Sequence, residues 1–284
     1  MKTINKLLKV SRPVSWVNTA YPFAATFLVL GGAVDVLFIV ASLFFLIPYN
    51  LLMYGVNDVY DYESDMRNPR KNSIEGAAEA KEFHPTILRA AYGLTLPFLL
   101  ALLLIGSWTA DLVLLSVVFF VVAYSLKGLR FKEIPFLDSI TSSLHFVGPM
   151  LYASALFGFP TETFPFMIAF FLWGLASHAF GAVQDVIPDR EGKLSSIATV
   201  IGARATVWFS FLLYIAASLF VGLQGGLAII VSLAGLLYVF TVAPYLFITD
   251  KTSARANRGW RRFIWLNYIV GTVVTFVLIA ILFL

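Results

Sequence analysis

Nine long apolar segments, divided by short polar connections, run the length of this 284-residue chain, at 15–34, 36–56, 86–106, 112–126, 138–158, 164–183, 205–223, 227–248 and 263–284. A helix crosses the hydrocarbon core of a bilayer in roughly 20 mainly apolar residues. Segments of this length, in this number, define a multi-pass membrane protein. Each span must satisfy its own backbone hydrogen bonds in lipid, which requires helices. The runs are too long and too uniform for barrel strands. Composition agrees, since 60 % of the residues are apolar and 13 % are charged, against roughly 45–50 % and ~25 % in soluble domains. The expected fold is all-α, nine transmembrane helices around a central cavity, forming one transmembrane domain over 1–284. The fifth segment carries Ser139, Thr141, Ser142, Ser143 and His145. Such polarity turns a span away from lipid, toward other helices or a cavity.

The charges fix the orientation. With nine spans, the connections alternate between the two sides of the membrane. All 20 Lys and Arg then fall on one side: four in the tail 1–14, five in or beside 57–85, three in 127–137, three in 185–204 and five in 249–262. The other side receives only Asp35, Asp111 and Glu162. The positive-inside rule makes the basic side cytoplasmic, so the N-terminus is expected inside the cell membrane and the C-terminus outside. The basic start, MKTINKLLKVSRP, lacks a small-residue cleavage site after its apolar stretch and reads as a cytoplasmic tail, not a signal peptide. The net charge of +4 is therefore topological. The partner it implies is the lipid bilayer, with nothing pointing to nucleic acid. The chain has no cysteine, which excludes disulfides, a thiolate nucleophile and a Cys-ligated metal.

Thirteen of the 16 acids also lie on the cytoplasmic side. Orientation does not require this, because Asp and Glu contribute little to it. Two clusters stand out. Asn57, Asp58, Asp61 and Asp65 follow the second apolar segment. At 100° per residue, Asp61 and Asp65 fall within about 60° of Asp58 on a helix, and Asn57 shares the face of Asp61. In QDVIPDREGK, residues 184–193, Asp185 and Asp189 are spaced i, i+4 and share a face if the helix continues, with Pro188 placed to end or bend it. Converging carboxylates repel one another, and a divalent cation relieves the repulsion. All-oxygen ligands favour Mg²⁺ or Ca²⁺. Mg²⁺ takes one or two carboxylates and leaves room for substrate phosphate. With Arg190 and Lys193 adjacent, the pattern suits a diphosphate. The plain alternative is a set of wet loop charges.

Asn57-Asp58-x-x-Asp61-x-x-x-Asp65 and Asp185-x-x-x-Asp189, placed after the second and sixth of nine spans, resemble the two aspartate motifs of the UbiA superfamily of intramembrane prenyltransferases. The stretches SRPVSWVNTAYPF, IPYNLLMYGVNDVYDYESDMRNPRK, LRFKEIPFLDSITSSLHF, GAVQDVIPDREGKLSSIATVIGAR and WLNYIVG are similar to its lycopene elongase branch, which builds C50 carotenoids. The resemblance implies a Mg²⁺-dependent prenyltransferase that moves dimethylallyl from dimethylallyl diphosphate to the C2 ends of lycopene or a related carotenoid. It also implies metal ligands at Asn57, Asp58, Asp61, Asp65, Asp185 and Asp189, of which Asp61, Asp185 and Asp189 are the catalytic set.

Two departures are visible. Tyr124-Ser-Leu-Lys127-Gly128 stands where the family has Tyr-x-x-x-Lys, so Gly128 holds the expected lysine position and Lys127, Arg130 or Lys132 must supply the charge. Lys193 replaces the acid of a longer second motif.

Ionising an allylic diphosphate requires positive groups on the leaving group. Lys193, Arg190, Lys127, Arg130, Lys71 and Arg12 are the candidates. Polar residues running inward from the motifs, Asn50 and Tyr54 on one helix and His178 on another, join Tyr124 and His145 as pocket candidates. Their commoner use is helix–helix hydrogen bonding. Two other functions fit parts of the pattern: prenylation of an aromatic quinone precursor, and transport. Against transport, the acids gather at one face and the two halves of the chain show no convincing repeat.

Overall fold

The computed structural model describes residues 2–66 and 79–283, apart from the side chains of Ser64 and Asp65. Among the described residues there is no strand. The α-helices in chain order are α1 (Lys2–Val10), α2 (Val17–Val29), α3 (Val36–Leu46), α4 (Pro48–Asp65), α5 (His84–Ile105), α6 (Trp108–Ser125), α7 (Leu137–Leu156), α8 (Phe164–Val183), α9 (Val186–Glu191), α10 (Ile197–Gly222), α11 (Ala228–Val242), α12 (Asn257–Trp260) and α13 (Phe263–Phe283).

Local chemistry sets their ends. Asp35 accepts from Phe38 N at 2.9 Å and starts α3. Ser107 does the same for α6 through Ala110 N at 3.3 Å. Ser196 and Thr199 form a reciprocal capping box at the start of α10. Such side-chain acceptors satisfy amide groups that lack an intrahelical partner. Proline sits in the first turn of α5 and α8, where its missing N–H costs nothing.

Each of the nine apolar segments contains a helix, but they are not equal. Seven helical stretches among the described residues are long and apolar enough to cross a membrane. The first segment holds only the 13-residue α2. The fifth holds the 20-residue α7, which falls short because of the polar residues that set it apart in the sequence. The second segment is interrupted at Ile47–Pro48. Pro48 has no backbone N–H and breaks the helix here, which leaves carbonyls in the last turn of α3 without their usual backbone donors. The fully buried Asn50 satisfies them, donating from Nδ2 to Phe45 O at 2.9 Å and Leu46 O at 3.0 Å.

Two compact units emerge. One comprises Met1–Phe131 and Leu144–Phe159, the other Lys132–Ser143 and Pro160–Leu284. The first unit is cored by aromatic side chains. Phe23 lies 5.5 Å from Phe45 and 5.9 Å from Tyr152, and Phe44 lies 5.9 Å from Tyr49, between ring centroids. In the second unit Tyr214 and Tyr238 stack at 5.3 Å, and Phe180 meets Phe263 at 5.7 Å. Lipid is as apolar as these side chains, so close packing and hydrogen bonds hold membrane helices together. Gly174 of α8 shows the packing term: a Cβ there would stand 2.5 Å from Ser143 Oγ. That hydroxyl donates to Phe171 O at 2.7 Å.

Candidate active site

The first acidic motif lies on the last turns of α4. The helix continues to Asp65, so residues 57–65 are not part of the connecting loop read from the sequence at 57–85. Continuation makes the spacing effective, since Asp58 and Asp61 share one face. Both are buried, at 5 % and 3 % exposure. Buried charge requires partners. Arg12 donates from Nη2 to Asp58 Oδ1 at 2.6 Å, and its guanidinium lies 4.2 Å from the centre of the Tyr54 ring. Arg130 Nη2 stands 3.6 Å from Asp61 Oδ1, and its Nη1 reaches Tyr60 O at 3.5 Å. Ser125, the last residue of α6, donates to Asn57 Oδ1 at 2.9 Å. The side chain of Asp65 and the whole of Lys71 lie outside the described residues.

The pocket candidates make contacts within the protein. Asn50 serves the α3–α4 break and also donates to Thr19 Oγ1 at 2.7 Å. Tyr54 forms the platform under Arg12. His145 is buried against α6, with Nε2 3.4 Å from Phe120 O and its ring 5.0 Å from that of Tyr124. Where the family has its lysine, the described residues place Arg130 on the first motif, 3.6 Å from Asp61 Oδ1. Lys127 is exposed in the turn after α6. The sequence offered no way to separate them, because the separation comes from how that turn folds back onto α4.

The second motif lies where α8 gives way to α9. The break comes at Gln184–Asp185, ahead of Pro188 and not at it. Pro188 occupies the first turn of α9, where no intrahelical donor is needed. Asp189 N still donates to Asp185 O at 2.9 Å, so the two acids remain one turn apart. Both are half-buried. Gln184 anchors the break: Nε2 donates to Gly181 O at 2.8 Å, and Oε1 accepts from Asn257 Nδ2 at 2.6 Å. His178, two turns up α8, has Nδ1 3.0 Å from Ser139 Oγ.

The cations of this motif divide. Lys193 is exposed, with a left-handed backbone at φ 57°. Arg190 is a tether, donating to Asp250 Oδ2 at 2.6 Å and twice to Thr199 O at 3.0 and 2.7 Å.

Two carboxylates that sequence reasoning left unassigned organise this region. Asp250 Oδ1 accepts from Ala203 N at 2.7 Å, capping the kink in α10 at Gly202, whose φ of 81° suits glycine. The Ala203 amide, and then Arg190, hold the Asp250 carboxyl below the usual carboxylate range. Asp138 is fully buried and accepts from Ser139 N at 2.7 Å and Ile197 N at 2.8 Å. The only signal for it was a charge at the edge of the most polar span.

Hard oxygen donors on one helix face, with no thiolate in the chain, fit Mg²⁺ and not a softer metal. No group of three or more His, Asp or Glu stands together among the described residues. The two buried acids of α4 match the one or two carboxylates that Mg²⁺ usually takes.

A helical membrane protein with two carboxylate pairs, each accompanied by cationic side chains, belongs to the class that handles anionic phosphates at a membrane. Residues 19–267 match the UbiA prenyltransferase family. The chain belongs to that family and is a prenyltransferase. It is 50 % identical over 283 residues to a lycopene elongase/hydratase of Corynebacterium glutamicum, covering 99 % of each chain. It is 30 % identical over 276 residues to a lycopene elongase/hydratase of Haloferax volcanii, covering 95 % of this chain and 87 % of that one. The fold is also that of a UbiA homologue from Archaeoglobus fulgidus solved with GPP and Mg²⁺. The TM-score there is 0.66 at 17 % identity, over 93 % of this chain and 99 % of the other. The same homologue bound to DMAPP and Mg²⁺ gives 0.66 at 17 % identity, over 93 % and 98 %.

Proposed function

We propose that the protein transfers dimethylallyl from dimethylallyl diphosphate to the C2 ends of lycopene or a related carotenoid. The observation that carries the acceptor is the 50 % identity, end to end, with a lycopene elongase/hydratase. What carries the donor is the pair of buried acids, Asp58 and Asp61, with two guanidiniums beside them.

In this reading Asp58, Asp61 and Asp65 of the first motif, with Asn57, and Asp185 and Asp189 of the second would hold Mg²⁺. The cation supplies neutralisation of the charge that develops on the leaving diphosphate. Arg130, Lys193 and Lys71 add donors to the same oxygens. Arg12 joins them when it leaves Asp58, and Lys127 lies in the turn that carries Arg130. Arg190 is assigned to holding α9 in place. Breaking the allylic C–O bond gives a dimethylallyl cation, and the acceptor alkene forms the new C–C bond with it. Loss of a proton, to the departing diphosphate or to an acid of the second motif, restores neutrality. An apolar, water-excluding surrounding keeps the cation from becoming an alcohol prematurely.

The same reading places nine spans in the cell membrane as one functional domain, N-terminus inside and C-terminus outside. It is supported by the helix in every apolar segment, by the one-sided distribution of Lys and Arg, and by a family match that runs through both units. Reporter fusions at Glu162 and at the C-terminus test it, and both should read external.

For the reaction, purified protein is supplied with dimethylallyl diphosphate, Mg²⁺ and lycopene, with 4-hydroxybenzoate in a parallel arm. The expected products are C45 and then C50 carotenoids. Prenylation of the aromatic acid with lycopene untouched would overturn the acceptor and keep only the family chemistry.

A further inference from the structure

Arg12 is held in an unusual state. Its backbone is left-handed, at φ 51° and ψ 72°, a sparsely populated and costly region for a residue with a Cβ. The proline-opened turn Pro13–Ser15 follows it directly. Trp16 pins the same corner by donating from Nε1 to Ser11 O at 3.0 Å. The side chain is thereby directed onto α4, over the Tyr54 ring and bonded to Asp58. Yet its Nε–H is buried and makes no hydrogen bond among the described residues. A guanidinium presents five donors in a planar fork suited to carboxylate and phosphate. Where it stands, this one is incompletely satisfied. Arg130 also has a left-handed backbone, at φ 41°, and stands 3.6 Å from Asp61.

A carboxylate oxygen bonded to Arg12 at 2.6 Å is not free to ligate a cation. A divalent ion entering alone would have to displace the guanidinium and then sit beside its positive charge. A diphosphate changes the balance, because its oxygens satisfy the Arg12 fork, including Nε–H, while releasing Asp58.

We infer that Arg12 is a placeholder for the metal: it occupies Asp58 until a diphosphate draws it away, so that the divalent cation and the diphosphate bind as a thermodynamically coupled pair. This rests on the reading that the first motif holds a divalent cation. It adds an order to the assembly and makes Arg12 a positioning residue for the metal as well as a diphosphate ligand. The expected benefit is that the acidic face stays neutralised between turnovers.

Equilibrium binding of Mn²⁺ to the full-length protein in detergent, followed by electron paramagnetic resonance, tests this with and without inorganic pyrophosphate. Coupling between linked sites typically changes affinity by about 5–150-fold. Wild type should bind Mn²⁺ weakly alone and at least about fivefold more tightly with pyrophosphate. Arg12→Gln should tighten binding of Mn²⁺ alone by about tenfold, within that range, and bring the coupling factor toward one. Arg12→Lys keeps the charge without the planar fork and should lie between, which preserves the test if the glutamine variant folds poorly. Arg255→Gln, at an exposed arginine, controls for net charge and should change neither value. If wild type shows coupling but Arg12→Gln leaves binding of Mn²⁺ alone unchanged or weaker, the placeholder role is wrong and the metal reading stands. If wild type binds no Mn²⁺ even with pyrophosphate, the metal reading itself fails.

Discussion

Replacing Asp138 by asparagine isolates one buried carboxylate that ties two segments of the second unit together. Both of its oxygens accept backbone amides, Ser139 N at 2.7 Å and Ile197 N at 2.8 Å, and the residue is 0 % exposed. Asparagine has nearly the same shape but one acceptor. Whichever amide keeps the oxygen, the other faces an NH₂ group, donor against donor. Losing a charge-assisted hydrogen bond costs about 1.5–3 kcal/mol, and leaving a buried N–H unsatisfied costs about 1–3 kcal/mol. Because the terms share one site, a net loss of about 3–5 kcal/mol is expected. Ile197 opens α10 shortly after Lys193, so the loss should also loosen the second motif and raise KM for dimethylallyl diphosphate. Thermal unfolding of the purified variants, followed by tryptophan fluorescence, gives the stability. Glu162→Gln, at an exposed acid, serves as the control and should stay within about 0.5 kcal/mol of wild type. If Asp138→Asn also falls within that margin, the carboxylate is not what holds the start of α10.

Asp250→Ala removes the cap on Ala203 and the Arg190 partner, and should cost about 1–2 kcal/mol, mostly through the cap, since the ion pair is about 40 % exposed and screened. The folded carboxyl titrates below its ordinary value, near 3.9 unfolded. Its contribution is therefore complete above that value and disappears as pH falls through the lower folded pKa. The gap in unfolding temperature between wild type and Asp250→Ala should close only in acid, and a gap constant from pH 7 to the acid limit would refute the assignment. Asp61→Ala and Asp185→Ala should each abolish turnover, by more than about a hundredfold, while remaining inserted and helical by circular dichroism. Near-normal activity in both would remove the metal assignment. Asn50→Leu strands the Leu46 carbonyl in an apolar setting, while Phe45 O keeps its bond from Thr19 Oγ1 at 2.8 Å, and should cost about 1–3 kcal/mol, measured by unfolding in detergent; an unchanged midpoint would mean the α3–α4 break does not depend on that side chain.

The sequence by itself determined the helical class, the membrane setting and the position of both acidic motifs. The reason is that these rest on local quantities: run length against bilayer thickness, and 100° per residue along a helix. Asp58 and Asp61 share a face because they are three residues apart on one helix, whatever surrounds them. What only the tertiary structure decided is which groups meet from distant parts of the chain. Asn50 read as a polar stripe leading to the motif, but Pro48 breaks the helix beside it and the freed carbonyls claim the amide. Arg190 reads from the sequence as a phosphate ligand, and only the fold shows Asp250, sixty residues later in sequence, bonded to its guanidinium. Lys127 and Arg130 were indistinguishable by spacing, and the turn after α6 placed Arg130 on Asp61. Asp138 carried no motif, and its role exists only because Ile197 presents an amide to it. Each of these turns on the pairing of buried polar groups, which is set by long-range packing and has no periodicity to read.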